Sequence, residues 1–127
     1  MQARTIAATV LGLTLGFAAS AQDPTKVDAK HYKVEFENDA VRILHITYPP
    51  GEKSVMHEHP DAVAVFLTPG KVKFTQADGK VIDSSVKAGT ATWTPAGKHL
   101  PENVGKEPFE VMLIEMKAKP AAKPAAK

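Results

Sequence analysis

Turn signals recur at intervals of about 8 to 12 residues through the middle of this chain, a spacing typical of short antiparallel strands. The runs between them are rich in Val, Ile, Phe and Thr. That rhythm predicts an all-β sandwich or barrel and leaves no stretch for a helix of conventional length. Asn38-Asp39 is expected to close a first hairpin between Tyr32–Glu37 and Val41–Tyr48. Pro49-Pro50-Gly51 ends the second of these strands, because proline removes a ladder donor and fixes φ. Thr68-Pro69-Gly70 and Asp78-Gly79 mark further hairpins, the latter with the residues of a type I′ turn. The remaining strands are expected at Ala62–Leu67, Val72–Thr75, Lys80–Lys87, Thr90–Thr94 and Phe109–Lys117.

Ala62–Leu67 is apolar on both faces, where a half-exposed strand would alternate with polar residues. If Val63, Val65 and Leu67 line an interior, then Ala62, Ala64 and Phe66 need cover from a second subunit or from another sheet of the same chain.

His57 and His59 stand one residue apart, and His99 follows 40 residues later, just after Pro95-Ala96-Gly97. In an extended strand, side chains two residues apart share a face, so the first two imidazoles can close two positions on one divalent ion. His99 joins them only if its strand folds back beside theirs. His57 and His59 have the alternative of two ordinary surface imidazoles near a loop, and His99 alone would be read as an ordinary residue after a common turn; the combination gives the set its weight.

The spacing resembles a known family. Gly51, His57, His59 and Gly70 resemble the first cupin motif, and Gly89, Pro95-Ala96-Gly97, His99 and Asn103 resemble the second. Together they span roughly Val34 to Lys117. Pro49-Pro50-Gly51 and Pro101-Glu102-Asn103-Val104-Gly105 also look like small single-domain cupins grouped with β-alanine degradation proteins. The resemblance implies a cupin-like β-barrel, a double-stranded jelly roll, with a mononuclear metal held by His57, His59 and His99. It also implies dimers, and a homodimer is the preferred cover for the second apolar face of Ala62–Leu67. Two positions depart from the pattern. The family's glutamate ligand, four residues after the second histidine, is Val63 here, and one residue instead of two separates Gly97 from His99.

Three neutral imidazoles without that carboxylate leave an M²⁺ site at +2. Such a site favours Fe, Zn, Cu or Ni over the harder Mn²⁺, and attracts an anionic ligand to its open position. His45 is an alternative further ligand, although a partly buried structural histidine is the simpler reading, since both faces of its strand are mostly apolar. Asn103 suits a turn or a supporting contact. Trp93, the only tryptophan, reads as a core or pocket-wall aromatic, and Met56, Met112 and Met116 as core fillers. Glu58 is expected to face away from the histidines, Asp61 to sit at the rim, and His31 to be exposed.

Met1–Ala21 has the form of a secretory signal peptide, with Arg4, an apolar run from Ile6 to Phe17 and Ala19-Ser20-Ala21 before Gln22. An amphipathic helix of the fold is the alternative. The expected organisation is then a signal peptide (1–21), an N-terminal arm (22–33), a cupin domain (34–117) and a disordered Lys/Pro/Ala tail (118–127), with a periplasmic location. No later segment approaches the roughly 18 apolar residues of a membrane span. Net charge is +2, but without Arg4, Lys119, Lys123 and Lys127 the acidic residues outnumber the basic. That excludes the clustered basic face of a nucleic-acid binder. The chain has no cysteine, hence no disulfide and no thiolate ligand.

Three functional classes follow. A three-histidine iron site with open positions suits an oxygenase acting on a small anionic substrate, and a zinc version suits hydrolysis. A non-catalytic cupin capturing a metal or a small ligand is the second class. An empty structural barrel is the third. For catalysis a buried acid or base is wanted, and only His45, Glu102 and Tyr48 offer themselves.

Overall fold

The computed structural model describes residues 22–118. The segment expected to be a signal peptide and nearly all of the expected tail lie outside those residues. A single helical turn, α1 (Pro24–Val27), is followed by nine strands: β1 (Tyr32–Glu37), β2 (Val41–Tyr48), β3 (His57–His59), β4 (Ala62–Phe66), β5 (Gly70–Gln76), β6 (Val81–Val86), β7 (Ala91–Thr94), β8 (Gly97–Asn103) and β9 (Phe109–Met116). They form a five-stranded sheet, β1-β2-β9-β4-β7, and a four-stranded sheet, β3-β8-β5-β6. All the pairings are antiparallel. The first strand starts at Tyr32, inside the segment read from sequence as an arm.

Alternation places the core. Leu44, Ile46 and Tyr48 of β2, Ala62 and Ala64 of β4, and Phe109, Val111 and Leu113 of β9 are buried and meet Val72 of the opposite sheet. Gly70 is required for this contact, because a Cβ there would lie 2.3 Å from the Phe109 ring.

Several expectations are corrected. The interior face of β4 is Ala62, Ala64 and Phe66, and Val63 and Val65 turn outward. Period two tells which residues share a face, not which face is inside. The cover over the alanine face is the four-stranded sheet of the same chain. The loop at Asp78-Gly79 is not type I′, since only Gly79 takes positive φ (85°). Gln76 and Lys80 instead close a three-residue loop, with Gly79 donating back to Gln76. Finally, Gly97–Asn103 is a strand of seven residues, despite Pro101, which lies opposite Phe74 of β5 and whose carbonyl accepts from the Ser54 amide.

Candidate metal centre

β3 and β8 pair so that His57 lies opposite His99 and His59 opposite Gly97. This one register brings the three imidazoles to the same side of the four-stranded sheet. Their ring centroids are 4.7, 4.9 and 5.2 Å apart. One nitrogen from each falls within 4.8 Å of the others, with His57 and His59 buried and His99 nearly so.

The outer nitrogens of the β3 pair are already committed. His57 Nδ1 lies 2.8 Å from the Val55 carbonyl, which can only accept, so Nδ1 carries the proton. His59 Nδ1 donates to Glu115 Oε1 at 2.7 Å. Both Nε2 atoms therefore turn inward, 2.9 Å apart. Ligands about 2.0–2.1 Å from one ion reach such a separation in adjacent positions. His99 Nε2 is buried and has no hydrogen-bond partner. A buried acceptor left unanswered is costly, and a divalent cation at the point of convergence would answer His99 and His59 while displacing the Tyr32 hydroxyl from His57 Nε2. The donor set fits a borderline divalent metal.

Electrostatics agree. Burial, reinforced by the neighbouring His59, pushes His57 down to about 4. Burial and the other two imidazoles push His99 down to about 3. Both are thus neutral, ligand-ready imidazoles near pH 7. Burial opposes ionisation of Glu115, yet hydrogen bonds from His59 and Arg42 outweigh it and hold the carboxyl below its ordinary range. Arg42 Nε donates to Glu115 Oε2 at 2.7 Å.

Two tyrosines complete the wall. Tyr32 Oη is 3.0 Å from His57 Nε2, and Tyr48 donates to Tyr32 at 2.5 Å. Burial raises both phenols well above their usual range. Beyond them the barrel encloses a cavity of about 270 Å³, bordered by Phe66, Phe74, Val86, Val111 and Leu113 and open to His59 and His99. Among its lining residues there is no Asp, Glu, Lys or Arg.

Other residues singled out from sequence fall elsewhere. His45 points outward, 3.4 Å from Glu110, and cannot reach the centre. Val63 is on the outer face, paired with Trp93 and Ile114. Trp93 borders the cavity but is 55% exposed, so it is no core residue. Asn103 is buried and structural: its amide donates to the Tyr48 and Glu107 carbonyls while its oxygen accepts from Gly105. Met112 and Met116 lie on the outward parity of β9. Glu58 is exposed as expected, and Asp61 at the rim accepts from the Ala96 amide. His31, expected to be exposed, is buried, stacked on Tyr48 between Asp28 and Glu52. Glu102 pairs with Lys73 on the outside.

Sequence reasoning missed Glu115 and Arg42, although a signal existed. Glu115 continues the buried phase of Phe109, Val111 and Leu113, and Arg42 that of Leu44, Ile46 and Tyr48. Opposite charges on two inward phases, at positions paired across the sheet, mark a buried ion pair.

The family model for the cupin domain matches residues 44–115, more than half of the chain. The chain belongs to the cupin family. Among solved structures, a cupin domain from Bordetella pertussis Tohama I is 28% identical with a TM-score of 0.64, over 68% of this chain and 92% of that one. An RmlC-like cupin with a double-stranded β-helix fold from Methanocaldococcus jannaschii is 22% identical with a TM-score of 0.53, over 70% and 83%. An uncharacterised double-stranded β-helix protein from Klebsiella pneumoniae is 23% identical with a TM-score of 0.53, over 69% and 84%. The last two speak to the cupin fold alone. No curated protein matches the chain.

Proposed function

We propose that this cupin holds one Fe, Zn, Cu or Ni ion through His57, His59 and His99, and that the ion takes a small anionic ligand whose apolar body fills the barrel. The buried, unpartnered Nε2 of His99, grouped with the ring nitrogens of the other two histidines, carries this reading. Three ligands leave positions open on the ion, and the uncharged cavity wall leaves anion binding to the metal. Were the ion iron, His57, His59 and His99 would hold it and it would supply dioxygen activation, which makes an oxygenase acting on such a substrate the first reading. The lack of an Asp or Glu in the cavity lining supports a second reading, a non-catalytic cupin that captures the metal or ligand. Cobalt(II) substitution followed by azide titration tests the open positions. A saturable shift of the d–d bands is expected, and cobalt binding is abolished in His99→Ala. A spectrum indifferent to azide means a closed site and removes the oxygenase reading.

Export to the periplasm through Met1–Ala21 is part of the same proposal, tested by fractionating cells that express the full chain. A homodimer through the outer face of the five-stranded sheet is also proposed. Phe36, Ile43, Ile114, Val63 and Trp93 form one apolar row across all five strands. The outer face of the other sheet is charged, with Glu58 opposite Lys98 and Lys73 opposite Glu102 and Asp83. Lys33, Glu35, His45 and Glu110 lie towards one end of the apolar face, and a second copy presenting the same apolar row is the complementary occupant.

A further inference from the structure

The segment Gln22–His31 lies outside the stretch matched by the family model, yet it reaches the histidines from behind by three routes. The Gln22 carbonyl accepts from the Glu58 amide, the residue between the two β3 histidines, at 2.9 Å. Asp23 divides its oxygens. One caps α1 by accepting from the Thr25 amide at 2.9 Å, and the other accepts from Arg42 Nη1 at 2.7 Å. Arg42 in turn holds Glu115, and Glu115 holds His59. Asp28 accepts the Ser54 hydroxyl at 2.5 Å, and Ser54 Oγ lies 3.2 Å from His57 Nδ1. Since Ser54 gives its only proton to Asp28, its oxygen accepts from His57 Nδ1–H, in agreement with Val55.

We propose that this N-terminal segment positions the metal ligands: Asp23 acts through Arg42 and Glu115 on His59, and Asp28 acts through Ser54 on His57. The proposal rests on the reading of His57, His59 and His99 as a metal site. An imidazole is free to rotate about its last side-chain bond unless its outer N–H is held. A carboxylate at the far end of each route fixes the group between. Asp28 takes the Ser54 proton and leaves Oγ as an acceptor for His57 Nδ1–H, and Asp23 holds the Arg42 guanidinium with Nε facing Glu115, so that ring angle and tautomer are both set. The barrel supplies the ligands, and two acids ahead of β1 keep them aimed.

The test compares wild type with Asp23→Asn and Asp28→Asn in the whole chain. Cobalt(II) affinity is read by chelator competition and ligand geometry by the d–d bands. Asn serves as well as Asp at an N-cap, so Asp23→Asn keeps the α1 cap while removing the charge that faces Arg42. Each variant is expected to lose about tenfold or more in affinity and to shift the bands. Ser54→Ala added to Asp28→Asn is expected to cost nothing further, whereas added to Asp23→Asn it costs its full amount. Asp28→Glu, which restores a carboxylate, recovers most of the affinity. If Asp28→Asn does not fold, Ser54→Ala alone reads the same route with only the bridging hydroxyl removed. Folded variants with wild-type affinity and bands, or full additivity of Asp28→Asn with Ser54→Ala, overturn the positioning role and leave the metal site standing. A wild-type chain that binds no cobalt overturns both.

Discussion

Position 63 shows how much one residue's parity decides. The family's glutamate position is Val63, which points away from the histidines, while its neighbour Ala64 is 5% exposed and lines the cavity beside His59. Val63→Glu is therefore expected to leave Mn²⁺ affinity unchanged. Ala64→Glu, which introduces an anionic oxygen on the inward face, is expected to raise it by about tenfold or more, measured by competition titration. The histidines also set an acid limit on the metal-free protein. Their folded values, about 4 for His57 and about 3 for His99, lie below the ordinary 6.5, so the unfolded chain takes up protons first as pH falls. Stability is full above about 6.5 and is lost progressively as pH drops through the values of the folded state. Glu115, held below its ordinary range, adds a loss of the same sign. Thermal melts from pH 7 to 4 should show a falling Tm, with a shallower fall in His99→Leu. An equal slope in that variant would contradict burial of a neutral His99.

Among the elements, β1, β2, β3, β8 and β9 supply the residues around the centre, and they were legible to different degrees. The ends of β1 and β2 follow from their turn residues, and both strands run as their composition predicts. β8 was not legible, because Pro95-Ala96-Gly97 and Pro101 read as loop; pairing with β3 and β5 overrides that local preference. β5 and β9 meet at Gly70 and Phe109, a contact between sheets that no local pattern announces. Gly70→Ala drives a Cβ into the Phe109 ring and is expected to cost about 1–3 kcal/mol in a urea unfolding curve. Phe109→Leu in the same background is expected to recover part of that loss. A neutral Gly70→Ala would mean that the two sheets separate easily at this edge.

For the whole molecule, the apolar row on one outer face, set against the paired charges on the other, predicts the assembly. Ile114 stands in the middle of the apolar row, flanked by Ile43 and Val63. A glutamate there meets its own copy or other apolar surface across a two-fold interface. Ile114→Glu is expected to convert a dimer into a monomer by sedimentation or light scattering, with the barrel still folded by circular dichroism. A wild-type monomer at micromolar concentration would dismiss the dimer. Alternation, turn chemistry and the one-residue gap between His57 and His59 are properties of the local backbone, so the sequence by itself determined an all-β chain with two imidazoles on one face. The tertiary structure alone decided which face of β4 is inside, that His99 returns to lie opposite His57, that Glu115 and Arg42 stand behind the site, and that His31 is buried. These depend on contacts between segments tens of residues apart. A period of two fixes relative sides, and only packing fixes the absolute one.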